Sequence, residues 1–236
     1  MYFANIQGYE ATKQYLLHMA NTHQVHHAQL FWGPEGNASL PLALAFATYL
    51  NCQDRLPQDA CGQCTSCQAM HKGTHPDVKF IFPVCATKQV TGKEVVSTSF
   101  LRPWRTFLQE HPYGQLHDWS HYLNGENKQL SITREEAREI VQRVSYKAFG
   151  GKYKIALIWL PEHLHPTAAN ALLKVLEEPP PHTLFLLVSM HPEKVLGTIR
   201  SRTQQMHIPA FTDEALARML TQQHALAPAQ LSQIIQ

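Results

Sequence analysis

Gly33-Pro34-Glu35-Gly36-Asn37-Ala38-Ser39-Leu40 is the stretch that decides the fold. The apolar run Gln29-Leu30-Phe31-Trp32 leads into it, and an apolar stretch with Pro41 in its first turn continues to about Leu50. A buried strand, a glycine turn and a helix are the setting of the phosphate-cradling loop G-x-x-x-x-G-K-[ST]. Gly33, Pro34 and Gly36 supply the tight turn. Ala38 replaces the glycine that lets backbone N–H groups approach phosphate. Ser39 replaces the lysine that neutralises it, and Leu40 replaces the hydroxyl that holds Mg²⁺. The setting of a nucleotide site is present without the groups that hold a nucleotide.

The rest of the chain repeats the alternation of strand and helix. Asp77–Phe82, Lys154–Leu160 and Thr183–Ser189 are near-continuous apolar runs, as strands covered on both faces should be. Helical stretches separate them, which predicts an α/β fold with a mostly parallel sheet. Thr133 and Glu136 fit a capping box, followed by Ala137, Ile140, Val141 and Val144 at helical spacing. Thr167 opens a helix carrying Leu172, Leu173, Val175 and Leu176, which Pro179-Pro180-Pro181 stops. Residues 84–130, with Trp104, Tyr113 and Trp119, read as an insertion of short helices. Its aromatics make it a packed excursion or a partner surface. After Pro209 the pattern is helical: Thr212 caps a helix with Leu216, Met219 and Leu220, and Pro228 begins another. The expected division is 1–208 for the α/β domain and 209–236 for the start of a small helical lid.

Composition narrows the function. The 236 residues carry a formal net charge of +2, which sets up no strong field toward nucleic acid or membrane. No run of about 18 apolar residues suggests a membrane span, and the start of the chain has no signal-peptide character. A cytoplasmic protein is expected. The 15 histidines are scattered and read as surface residues. Cys52, Cys61, Cys64 and Cys67 are bunched as C-x8-C-x2-C-x2-C. That spacing suits one structural Zn²⁺ with a closed four-thiolate shell, against the alternative of reduced free thiols. His71 and His75 lie close enough to replace a thiolate. Cys85 is left as a free, partly buried thiol.

A hydrolytic loop also needs an Asp-Glu pair at the end of a neighbouring strand, to order Mg²⁺ and polarise water. Trp159 and Leu160 occupy those positions, and Glu162 stands two residues further on. Both halves of the metal–phosphate machinery are absent from one chain.

Several segments occur in an order that resembles one family. They are Phe3-Ala4-Asn5-Ile6-Gln7-Gly8, His27 to Pro34, the four cysteines, Ala168-Ala169-Asn170-Ala171-Leu172-Leu173-Lys174-Val175-Leu176-Glu177-Glu178-Pro179-Pro180, and Ser201-Arg202-Thr203. In this respect the chain is similar to the delta-prime subunits of the bacterial replicative clamp loader, a part of DNA polymerase III within the AAA+ proteins. The resemblance implies a P-loop NTPase-like AAA+ sheet with an inserted zinc module at 52–67. It also implies a ring subunit that binds no ATP and hydrolyses none. Its site would be Arg202, an arginine finger reaching a neighbour's γ-phosphate, with Thr203 in place of the family's cysteine. A surface salt bridge is the competing role for Arg202, and Arg200 is a rival finger. The implied partners are gamma/tau and delta subunits, the sliding clamp and, through the assembly, primer-template DNA. The helix capped by Thr133, with Arg134 and Arg138, is a candidate phosphate contact, although Arg138 is also placed to pair with Glu135 or Glu139. Ser189 and Met190 fall in the sensor region, with Ser189 expected to bond backbone. A gamma/tau-type ATPase and a zinc-ribbon nucleic-acid module are the alternatives.

Overall fold

The computed structural model describes residues 1–125, 128–144 and 150–224. In chain order the elements are α1 (Glu10–Asn21), β1 (Ala28–Trp32), α2 (Ser39–Asn51), α3 (Thr65–His71), β2 (Val78–Ile81), α4 (Leu101–Glu110), α5 (Leu116–Tyr122), α6 (Arg134–Val144), β3 (Lys154–Trp159), α7 (Pro166–Glu177), β4 (Thr183–Ser189), α8 (Gly197–Arg200), β5 (Gln204–His207) and α9 (Asp213–His224). The five strands form one parallel sheet in the order β2-β3-β4-β1-β5. The four apolar runs of the sequence are its four central and left-hand strands. β5 has no counterpart among them. It is an edge strand reading Gln-Gln-Met-His with only Met206 buried, so it lacks the apolar signature of a covered strand.

Side-chain alternation divides the core in two. Along β4, Leu184, Leu186 and Val188 join Leu157, Trp159 and helix α2 on one face. Phe185 and Leu187 join Ile158, Ile140, Leu172, Leu176 and Ile199 on the other, under α6, α7 and α8. All seven residues of β4 are buried, and so are all thirteen of α2. A helix apolar on every side belongs inside a protein. The expected helix face Ala137, Val141 and Val144 lies outside the described side chains, as does Leu220; Ile140 is buried as its spacing predicts. The helix expected from Pro228 lies outside the described residues.

Two starts differ in detail from the sequence reading. Helix α7 begins at Pro166 and is capped by His165, whose Nδ1 accepts from Thr167 N at 3.2 Å, so the imidazole does the work expected of Thr167. Thr133 Oγ1 accepts from Glu136 N at 3.4 Å as a cap should, while the Glu136 carboxylate accepts from Ser97 N at 2.6 Å and ties α6 to the insertion.

That insertion is a packed aromatic block. Trp104, Phe107 and Trp119 are fully buried. Trp104 stacks on Phe82 with centroids 4.1 Å apart, meets Trp119 edge-on at 5.2 Å, and reaches Trp159 of β3 at 5.1 Å. Trp119 Nε1 donates to Pro83 O at 2.7 Å, which satisfies its polar edge. Trp104→Ala is expected to cost about 3–5 kcal/mol of unfolding free energy, the range for deleting a buried aromatic; a denaturant titration checks it.

Candidate functional site

The loop 33–38 leaves the C-terminal end of β1. Gly33 is required there because β5 passes against it: a Cβ would lie 1.9 Å from Ile208 O, and Ile208 N donates to Trp32 O at 2.7 Å. Gly36 turns the chain with φ +76°. The loop then closes on itself. Asn37, buried, donates from Nδ2 to Pro34 O at 2.6 Å and accepts at Oδ1 from Ser39 N at 2.5 Å. An asparagine accepting from the amide two residues on is an Asx turn. Here it consumes the first amide of α2, one of the donors that an anion at a helix N-terminus would use. Ser39 Oγ is fully buried without a hydrogen-bond partner among the described residues, and Leu40 is buried. The side chains at the mouth carry the wrong sign for a triphosphate. Glu35 lies 3.9 Å from His191, and Glu162 Oε1 accepts from Met190 N and His191 N at 3.0 and 3.2 Å. His191 N also lies 3.2 Å from Ser189 Oγ, so Ser189 is engaged with backbone as expected.

At the end of β3, Trp159 is fully buried and Leu160 is 3% exposed. Trp159 packs against Trp104 and Phe107 of the insertion. The positions that would carry Asp and Glu are therefore part of the apolar core, where a carboxylate would lose its water without a counter-charge.

Arg202 sits elsewhere. It follows α8 and precedes β5, so it lies at the N-terminal edge of the sheet, whereas loop 33–38 lies at the C-terminal edge. The register Gln29↔Gln204 through Trp32↔His207 fixes this. At about 3.3 Å per residue, the length of β5 alone separates the two by roughly 13 Å, beyond the reach of a side chain. Arg202 Nη2 bonds Glu177 Oε1 at 2.6 Å and Nη1 donates to Thr198 O at 3.0 Å. Thr203 Oγ1 donates to Arg200 O at 2.9 Å and Ser201 Oγ to Thr198 O at 3.1 Å, so the hydroxyls flanking Arg202 hold its turn. Arg200 is half-buried, and its buried Nε has no partner among the described residues. Arg134 is paired with Glu135 at 3.3 Å and exposed.

The four cysteines converge. Their Sγ atoms all lie within 4.8 Å of one another, and Cys61 and Cys67 are 4.0 Å apart. Four sulfurs about 2.3 Å from a zinc ion form a tetrahedron with edges near 3.8 Å, so the arrangement fits. Backbone amides already point at the sulfurs: Cys61 N to Cys52 Sγ, Cys64 N to Cys61 Sγ and Cys67 N to Cys64 Sγ, at 3.3–3.4 Å. Burial opposes ionisation of Cys64, yet amides including those of Gln53 and Cys67 outweigh it and bring its thiol down to about 6. Burial, opposed in part by such amides, leaves the Cys52 and Cys67 thiols raised. His75 is occupied otherwise. Asp77 N donates to its Nδ1 at 3.1 Å, so Nε2 carries the proton toward Ser66 Oγ at 2.9 Å. His71 is exposed at the end of α3. Cys85 is buried and apart from the cluster.

The Glu177 pair is the surface salt bridge that competes with the finger as a role for Arg202; sequence reasoning missed the Asn37 closure and the partner in this pair. An Asn two residues before the helix start is the one local signal for the first; the second joins residues 25 apart and has none.

Comparison with known proteins follows the same line. The family model described as "DNA polymerase III, delta subunit" matches residues 8–212. DNA polymerase III subunit delta' of Pseudomonas aeruginosa is 32% identical over 209 residues, covering 87% of this chain and 51% of the relative. The delta' subunit of Yersinia pestis is 33% identical over 184 residues, 77% and 41% of the two chains. Subunit tau/gamma of Haemophilus influenzae is 29% identical over 226 residues, 94% and 26%. The chain thus spans about half or less of the length of these relatives.

Two outcomes are expected. Asn37→Ala should destabilise the chain by about 0.5–2 kcal/mol, the range for losing a side-chain cap at a helix start, as read by thermal or denaturant unfolding. Elemental analysis of protein purified without chelator should find one zinc per chain. Its removal should lower the unfolding temperature, because ligand binding to the native state is folding energy.

Proposed function

The chain belongs to the DNA polymerase III delta-subunit family, a bacterial clamp-loader branch of the AAA+ proteins, and from that premise we propose that it is a delta-prime-type loader subunit that hydrolyses no ATP itself. In this reading residues 1–208 are the AAA+ domain, 209–236 open a helical lid, and Cys52, Cys61, Cys64 and Cys67 hold a structural zinc. Arg202 serves an ATP-binding neighbour of the gamma/tau type. Delta subunit, sliding clamp and primer-template DNA are met through the assembly, in the cytoplasm.

One observation carries the proposal: Asn37 Oδ1 sits on the Ser39 amide, in the place where a nucleotide's phosphate oxygen would bond. The buried Trp159 and Leu160 support it, since they stand where the Asp-Glu pair for Mg²⁺ would be. The separation of Arg202 from its own loop by the length of β5 supports action in trans. A guanidinium fork aimed at phosphate oxygens stabilises the charge that develops on the transferred phosphoryl group, and such fingers contribute about 10³–10⁵ in rate. A gamma/tau-type ATPase would need the lysine, the hydroxyl and the Asp-Glu pair, and each position here holds a residue of different chemistry.

Arg202→Ala should leave the unfolding profile of the chain unchanged and slow clamp-dependent ATP turnover by a reconstituted loader at least about tenfold. Steady-state hydrolysis with the sliding clamp and primed DNA present checks this; unchanged turnover removes the finger.

A further inference from the structure

Building on the reading of Arg202 as a trans-acting finger, we propose that Glu177 is its positioning residue, and that the C-terminal end of α7 serves to aim this guanidinium. The pair joins two sequence segments of unexplained proximity. Glu177 closes the helix that reads Leu-Leu-Lys-Val-Leu-Glu-Glu-Pro-Pro, and Arg202 lies in Ser-Arg-Thr.

Both nitrogens of the fork have a fixed acceptor inside the chain: Nη2 on Glu177 Oε1 at 2.6 Å and Nη1 on Thr198 O at 3.0 Å. Each acceptor is itself immobilised. Glu177 is the last residue of α7, whose Leu172 and Leu176 are buried against the sheet. His27 Nε2 lies 3.1 Å from Leu176 O and must donate to it, which pins the final turn from the start of β1. Pro179 and Pro180 forbid further helix, so the carboxylate stays at the helix end. Thr198 is held through buried Ile199 of α8, and its carbonyl also receives Ser201 Oγ.

The pair is partly open to solvent, with 36% of the Arg202 side chain and 51% of the Glu177 side chain exposed. An ion pair in such a place adds little to stability. It does restrict a long, flexible side chain to one direction before a partner arrives. The guanidinium retains N–H donors beyond the two in use, so it offers them to phosphate without breaking either internal bond. Preorganisation of this kind acts on the rate of the chemical step, because a donor held in place needs no reorientation as charge develops.

The test is ATP turnover by a loader reconstituted with the full-length subunit, sliding clamp and primed DNA, comparing wild type, Glu177→Ala, Glu177→Gln, Arg202→Ala and the double alanine variant. Glu177→Ala is expected to lower kcat about tenfold with KM unchanged. Glu177→Gln, which keeps an acceptor oxygen at the same reach, is expected to recover about half the rate or more. The double variant is expected to be no slower than Arg202→Ala alone, since the two residues act as a unit. Unfolding midpoints of the single variants should match wild type; a rate loss that tracks a fallen midpoint contradicts the positioning role. Glu177→Ala turning over at or above the wild-type rate while Arg202→Ala is slow overturns the positioning role and leaves the finger intact. Arg202→Ala at full rate removes the finger, and this inference with it.

Discussion

Burial of β4 along its whole length is the constraint on which the architecture rests. With Leu184 to Val188 covered on both faces and hydrogen-bonded to β1 on one side and β3 on the other, β4 has no freedom of register. Because every strand is parallel, the sheet has two chemically distinct edges. The C-terminal edge carries loop 33–38, the turn at Glu162 and the strand-end amides of Met190 and His191. The N-terminal edge carries the end of α7, His27 and the turn of Arg202. A single sheet therefore fixes loop 33–38 on one side and the Arg202 guanidinium on the other.

Loop 33–38 is filled from within the chain rather than merely stripped. Where a phosphate would draw in amides, Asn37 supplies an oxygen from within the chain. Where a metal shell would need carboxylates, Trp159 is stacked into the aromatics of the insertion, so residues 84–125 and the end of β3 form one core. The Asn37 oxygen satisfies the Ser39 amide, and a buried amide without a partner is costly.

Much of this was legible in the sequence. The strands at 29–32, 78–81, 154–159 and 183–189 announce themselves because strands covered on both faces must be continuously apolar, and the cysteine spacing announces a converging four-thiol cluster because a shared site needs its ligands at one point. The insertion's packing was readable from Trp104 and Trp119. What escaped was governed by polar edges and remote partners. β5 reads Gln-Gln-Met-His because only one of its sides is paired and little of it is covered. His165 caps α7 through a ring nitrogen, a role that residue type alone does not signal. Asn37 and Glu177 act through bonds whose partners become neighbours only once the loop and the sheet edge have formed.

Closure of the loop by the Asn37 side chain predicts that the chain takes up no nucleotide. Calorimetric titration of the isolated chain with Mg²⁺-ATP measures this directly. It should give no saturable heat up to millimolar nucleotide; a one-to-one complex whose affinity depends on Mg²⁺ would contradict it.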